Sequence, residues 1–162
     1  MYQLLVFLHI VAAAVWLGGM LFLALVLVPA RARLDGPTWG RLVGDVGRRF
    51  SKVCWVCLAV LGATGVLNLL NRGLGWEALS QAAFWSAGFG LVLAIKLALV
   101  AAAVGLGLAH DLALGPAAAR AIEAGDAPTA VRRWATHLGR LNALLALTIV
   151  FLAVLLVRGM PS

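Results

Sequence analysis

At 162 residues, with 64% hydrophobic side chains, 12% charged ones and a mean hydropathy of +1.03, the chain departs from soluble domains, where about 25% of residues are charged. A net charge of +7 would point to nucleic acid in a soluble protein. Here the basic residues gather in two loops between apolar runs of roughly 20 residues. They are therefore expected to set topology and meet anionic lipid, in an integral membrane protein with no nucleic-acid partner.

The first apolar run, "LLVFLHIVAAAVWLGGMLFLALVLVPARAR", predicts a span from about Tyr2 to Val28 that stops at Pro29. It is too long for a signal-peptide core and lacks a basic leader, so it reads as a retained span. The first loop follows, with Arg31, Arg33, Arg41, Arg48, Arg49 and Lys52. Within it, "PTWGRLVGDVGRRF" places Trp39, Leu42, Val43, Val46 and Phe50 at helical spacing with arginines opposite. That pattern predicts a short amphipathic helix, either lying on the membrane surface or packed over the end of the bundle. The second span is expected from about Lys52 to Leu70, ending at "NRG".

The third span is expected from about Phe84 to Ala109, broken by "HDLALGP", and the fourth from about His137 to Val157. The loop between them carries Arg120, Arg132 and Arg133 and a predicted break at "GDAP", whereas the second loop has only Arg72. The positive-inside rule then places loops one and three in the cytoplasm and both termini outside. The expected architecture is an all-α, four-helix transmembrane bundle. It forms a single domain over residues 1–162, multi-pass in a bacterial inner membrane.

Ionisable residues inside spans are costly and mark functional candidates. Lys96, in "LVLAIKLALV", lies too deep for easy snorkelling and must face the bundle, pair with something, or lose its proton. His9 lies about 10 Å in from the outer end by helix rise, and Lys96 somewhat deeper from the same side. Trp16 follows His9 two turns along the same face, and Gly18 and Gly19 allow close approach by a helix or a flat ligand. On the second helix, Cys54, Cys57, Leu61, Thr64, Asn68 and Asn71 form one stripe expected to point inward.

At the inner end, Cys54 and Cys57 with His110 and His137 are alternatively copper(I) or zinc ligands, or two small buried cysteines and two helix-end histidines. Arg140 is placed either to bind a carboxylate or propionate, or to reach lipid phosphate. Asn142 enters the fourth helix beside it. Small-residue pairs on the third helix, Ala101 with Gly105 and Ala103 with Gly107, allow tight packing within the chain or in a homodimer.

The segments "LHIVAAAVWLGGMLFLALVLVPA", "ATGVLNLL", "AIKLALV" and "AHDLALGP", in that order, resemble the CopD-type copper-resistance membrane domain. The same skeleton resembles the HemJ-type protoporphyrinogen oxidases, four-helix-like membrane proteins that bind haem b. By that resemblance His9, Trp16, Lys96, His110, Arg140 and Asn142 carry over as cofactor-binding positions. His9 is then the first metal ligand, the second being either Lys96 as a neutral amine or His110, which lies toward the opposite face and would serve a second haem or a haem edge; Lys96 is a catalytic group if the chain is a membrane oxidoreductase.

Three functions follow as expectations. One is haem b binding with redox chemistry or haem handling, and another is copper binding or transport. The third is a cofactor-free structural or assembly subunit. Met1, Met20 and Met160 form no methionine-rich copper relay in the sequence.

Overall fold

The computed structural model describes residues 1–86, 88–124 and 130–158. All of the regular structure among them is helical. Helix α1 (Tyr2–Phe22) passes through a π-helical turn at Leu23–Leu27 into α2 (Val28–Ala30) and a 3₁₀ turn at Arg31–Arg33. Helix α3 (Gly36–Asn71) is followed by two short helices, α4 (Trp76–Leu79) and α5 (Ala82–Ser86). Helix α6 (Gly88–Ala109) runs through a second π turn, His110–Leu114, into α7 (Gly115–Glu123), and α8 (Ala130–Arg158) completes the bundle. Four of these segments are long and apolar enough to cross a membrane: Tyr2–Arg33, Gly36–Asn71, Gly88–Ile122 and Arg133–Arg158.

Several boundaries differ from the sequence expectation. The first span does not stop at Pro29. A proline inside a helix lacks an N–H and its ring collides with the carbonyl four residues back. The π turn just before Pro29 widens the helix there and gives that carbonyl room, so the chain stays helical to Arg33. The same arrangement recurs at "HDLALGP": the π turn His110–Leu114 precedes Pro116, and the helix continues where a break was expected. The third span begins at Gly88 rather than Phe84, because Gly88 adopts a left-handed φ of 57° and Phe84 belongs to the separate α5. The fourth helix begins at least as early as Ala130. The break expected at Gly125–Pro128 lies outside the described residues.

The amphipathic segment of the first loop is not a separate helix. It forms the first half of α3, whose 36 residues extend roughly 54 Å. Asp35 caps this helix, its carboxylate accepting from the Thr38 amide at 2.8 Å. That bond holds the Asp35 carboxyl below its usual range. Trp39 is only 4% exposed, and α7 packs along this half of α3 with Ala119 against Gly44. Of the two readings open from the sequence, the packed one describes this face.

The bundle has two ends. Tyr2, Asn71, Gly88 and Arg158 lie at one, called here the termini end; the arginine-rich segments and α7 lie at the other, the basic end. Helix α1 packs along α3, α6 packs along α8, and α1 also meets α8. Residues of α3 and α6 meet through side chains in the core, where Cys57 and Ala103 belong to one cluster. The core sits midway and is built from Ala12, Trp16, Cys57, Ala103, Ala146 and Ile149, so each long helix contributes.

Candidate functional site

A repeat of seven residues keeps side chains near one helix face about two turns apart, and it organises the interior into layers. At the termini end, Arg72 donates to the Leu156 carbonyl of α8 at 3.2 Å and stacks over the Phe89 ring of α6 at 5.9 Å. This contact ties the end of α3 to α6 and α8. Thr64 and Asn71 share one face of α3, with Asn68 beside it, and Lys96 shares the face of Phe89 on α6.

The next layer lies roughly 10–12 Å below Arg72 and Phe89. His9 Nδ1 is 2.8 Å from Thr64 Oγ1, and the Thr64 hydroxyl donates to the Val60 carbonyl at 2.6 Å. A hydroxyl has one proton to give. With it committed to Val60, Thr64 accepts from His9, so the imidazole proton sits on Nδ1 and Nε2 keeps its lone pair. The ring also lies over Gly65, where an added Cβ would come within 3.6 Å of His9 Cε1. Lys96 is half-buried and within electrostatic reach of His9. Asn68, one turn above Thr64, has a buried Oδ1 with no hydrogen-bond partner.

Below His9 the interior closes. Trp16 is 4% exposed and packs in the core with Cys57, Ala103 and Ala146, the last completely buried. Gly19 does not meet a flat ligand: the Phe50 ring of α3 fills the space a Cβ would need, while Gly18 faces open space. Met20, Cys54 and Leu61 pack against the same core. Asn142 Nδ2 points to Met20 Sδ at 3.9 Å, and its Oδ1 is buried without a partner. Ala103 lies in the core and Gly107 near Asn142, while Ala101 and Gly105 are exposed.

At the basic end, Ser51 donates to Asp111 Oδ2 at 2.5 Å, which ties α3 to the π turn after α6. Asp111 is also in electrostatic reach of Cys54. His110 folds over Gly115 and approaches Asp111 at 3.4 Å. His137 and Arg140 are exposed on α8; His137 borders an open hollow with Ala130, Arg133 and Trp134. The structure therefore brings His9 and Thr64 into contact, with Lys96 in electrostatic reach of His9, and it leaves His110, His137 and Arg140 at the far end. Among the described residues there is no group of three or more His, Cys, Asp or Glu side chains that could hold a metal ion.

Sequence reasoning did not single out Ser51, Asp111 or Arg72. Asp111 had a visible signal, an acid in "AHDL" at the end of a span whose other charged residue is Lys96. Ser51 and Arg72 had none, because their partners lie 60 and 84 residues away.

Copper resistance protein D is the family that matches, over residues 44–156. A relative in Aquifex aeolicus (strain VF5), described as an uncharacterized protein, is 34% identical over 157 residues, covering 95% of this chain and 94% of its own. No solved structure matches the chain. The family match takes in Cys54, Cys57, Thr64, Lys96, His110 and Asn142, while α1 with His9 and Trp16 precedes it. With the bundle and these matches together, the chain belongs to the copper resistance protein D family of membrane proteins.

Proposed function

We propose that this protein handles copper in a bacterial inner membrane, with His9 as the group that receives the metal from the termini end. The observation that carries this reading is the Thr64 hydrogen bond, which fixes the His9 tautomer and leaves Nε2 as a free lone pair. Met20, Cys54 and Cys57 pack around the core below it and supply thioether and thiol sulfur, the donors that suit copper(I). Transport then requires the Trp16 layer to part, since it separates His9 from the sulfur groups.

A second reading, haem b, is favoured by one observation. The described residues offer no three-donor group of His, Cys, Asp and Glu. A porphyrin brings four nitrogens of its own and asks the protein for one or two ligands. His9 is the residue that would hold the iron, with Lys96, as a neutral amine, the nearest further candidate. Bound haem would supply one-electron redox chemistry, and Lys96, if it did not hold the iron, would act on a substrate proton. His110, Arg140 and Asn142 lie toward the other end and would not share that iron.

Purified protein in nanodiscs distinguishes the readings. Copper(I) titration against a chromophoric chelator should show binding that weakens at least tenfold in His9→Ala. A Soret band in the protein as purified, lost in His9→Ala, would replace copper with haem. A folded protein with no pigment and no copper affinity would overturn both, in favour of a structural or assembly subunit.

A further inference from the structure

At the basic end, the outer face of α8 carries a hollow of about 430 Å³ lined by Ala130, Arg133, Trp134 and His137. Ala143, Ala146 and Ile149 turn the opposite side of α8 into the bundle, so this face meets lipid. Arg140 follows Arg133 two turns on along one edge of the face, Trp134 stands on the other edge, and His137 lies between. Arg133, His137 and Arg140 are exposed and, among the described residues, form no ion pair. Deeper in the span the same face is apolar, with Leu141 and Leu144 exposed. Cations at the end of a span, an aromatic ring at their level and bare leucines beyond them suit the boundary between headgroups and acyl chains.

Trp134 also departs from its counterpart in the first helix pair. The π turns Leu23–Leu27 and His110–Leu114, the prolines Pro29 and Pro116, and Arg33 and Arg120 are all separated by the same number of residues. The pair α6 and α8 thus repeats features of α1 and α3. On the returning helices, "RRF" at 48–50 answers "RRW" at 132–134. Phe50 turns inward over Gly19 of α1. At the same interval from Gly19, α6 carries Leu106, which leaves no such room, and Trp134 is 61% exposed.

We propose that this face of α8 is a binding site for one anionic phospholipid, whose phosphate seats in the hollow beside Arg133 and His137 and whose acyl chains lie along Leu141 and Leu144. The Arg133 guanidinium presents a planar fork of donors that matches phosphate oxygens. Arg140 starts deeper, and its long stem carries its charge back to the headgroup level. The Trp134 indole, turned out of the bundle, packs beside the headgroup with its N–H free to donate. Two guanidinium charges exceed the charge of one phosphate. A zwitterionic headgroup adds an ammonium of its own to that excess, so the site favours a lipid with net negative charge. The site lies on the lipid side of α8, away from His9, and holds whatever His9 binds.

The test uses the full chain in phosphatidylcholine nanodiscs, with Cys54→Ala and Cys57→Ala removing the native thiols. A bimane attached at Leu141→Cys reports lipid contact on this face, through quenching by phospholipids that carry a nitroxide at the head of the acyl chain. Leu25→Cys, exposed on α1 ahead of Arg31 and Arg33, reports on the same end of the bundle away from the hollow. Nitroxide-labelled phosphatidylglycerol and phosphatidylcholine are compared at both positions. The preference for phosphatidylglycerol should be about fivefold greater at Leu141→Cys, the effect of one further basic residue near the surface. Arg133→Gln with Arg140→Gln should remove that excess, and Arg31→Gln with Arg33→Gln should leave it. Inorganic phosphate should reduce it no more than chloride at equal ionic strength does. Leu144→Cys is the second reporter if Leu141→Cys does not fold. Equal preference at the two positions, an excess that survives the double α8 variant or is lost in the Arg31 and Arg33 variant, or displacement by free phosphate overturns the proposal.

Discussion

His9 and Thr64 are joined across the α1–α3 interface by a 2.8 Å hydrogen bond whose direction is fixed by the Thr64 hydroxyl's own bond to Val60. A threonine that bonds its own helix backbone is ordinary. Here that bond has a consequence on another helix, because it turns the hydroxyl into an acceptor and orients the imidazole. Thr64→Val keeps the shape and removes the acceptor. On the copper reading, copper(I) affinity should fall about tenfold, the lower end of the usual effect of losing a ligand's orienting partner. Thr64→Ser should retain most of it. Unchanged affinity in Thr64→Val, measured by chelator competition, would show that the bond does not orient a ligand.

Gly19 and Gly18 are adjacent and should respond differently. A Cβ at Gly19 would overlap the Phe50 ring at 2.1 Å, whereas one at Gly18 meets nothing within 4 Å. Gly19→Ala should destabilise the protein by about 1–3 kcal/mol, the usual range for overpacking. Gly18→Ala should change it by less than about 0.5 kcal/mol. In Phe50→Leu the Gly19→Ala penalty should shrink, since the smaller side chain leaves the space. Thermal unfolding in detergent, run as a double-mutant cycle, measures all three.

Trp16 is the largest side chain in the layer that closes the bundle below His9. Trp16→Ala should cost about 3–5 kcal/mol, the range for deleting a large buried aromatic. It should also open a route between His9 and Cys57. The second effect is measurable as faster reaction of Cys57 with a hydrophilic thiol reagent. Trp16→Phe should preserve most of the stability and the slow rate.

Ser51 and Asp111 hold the basic end together at 2.5 Å. Asp111→Ala leaves the Ser51 hydroxyl without its acceptor and should cost about 1–3 kcal/mol. Ser51→Ala should cost a similar amount, and the double variant less than the sum, because the two residues share one interaction. Additive losses would mean that each acts independently.

Asp35 predicts a pH effect at the start of α3. Its carboxyl is held below its unfolded value by the Thr38 amide, so it favours the fold in full above the unfolded pKa. That contribution is lost as pH falls through the lowered folded pKa, when the cap protonates. Hydrogen exchange at the Thr38 amide should therefore accelerate, relative to its intrinsic rate, on acidification below about pH 4. Asp35→Ala should show the faster exchange at every pH.

The spans and their number were legible because burial in lipid demands long apolar helices, and composition alone reveals those. The comparable depths expected for His9 and Lys96 follow from helix rise alone, which converts residue count to distance. Helix ends were read less well. Pro29 and "HDLALGP" carry stop signals by local propensity, but a π turn ahead of each proline relieves the clash, and no local pattern announces it. The amphipathic run Trp39–Phe50 showed its periodicity, while its partner α7 could not be inferred from that run.

The sequence by itself therefore determined a four-span helical membrane protein with a histidine and a lysine set at one level, because bilayer thickness and helix rise leave few alternatives. Only the tertiary structure decided what those residues face. Thr64 orients His9, Trp16 seals the layer below, Phe50 takes the space over Gly19, and Arg72 reaches Leu156 and Phe89. Each of these depends on the rotation of one helix about its axis relative to another. That rotation is set by packing across the bundle, which neighbours along the chain do not record.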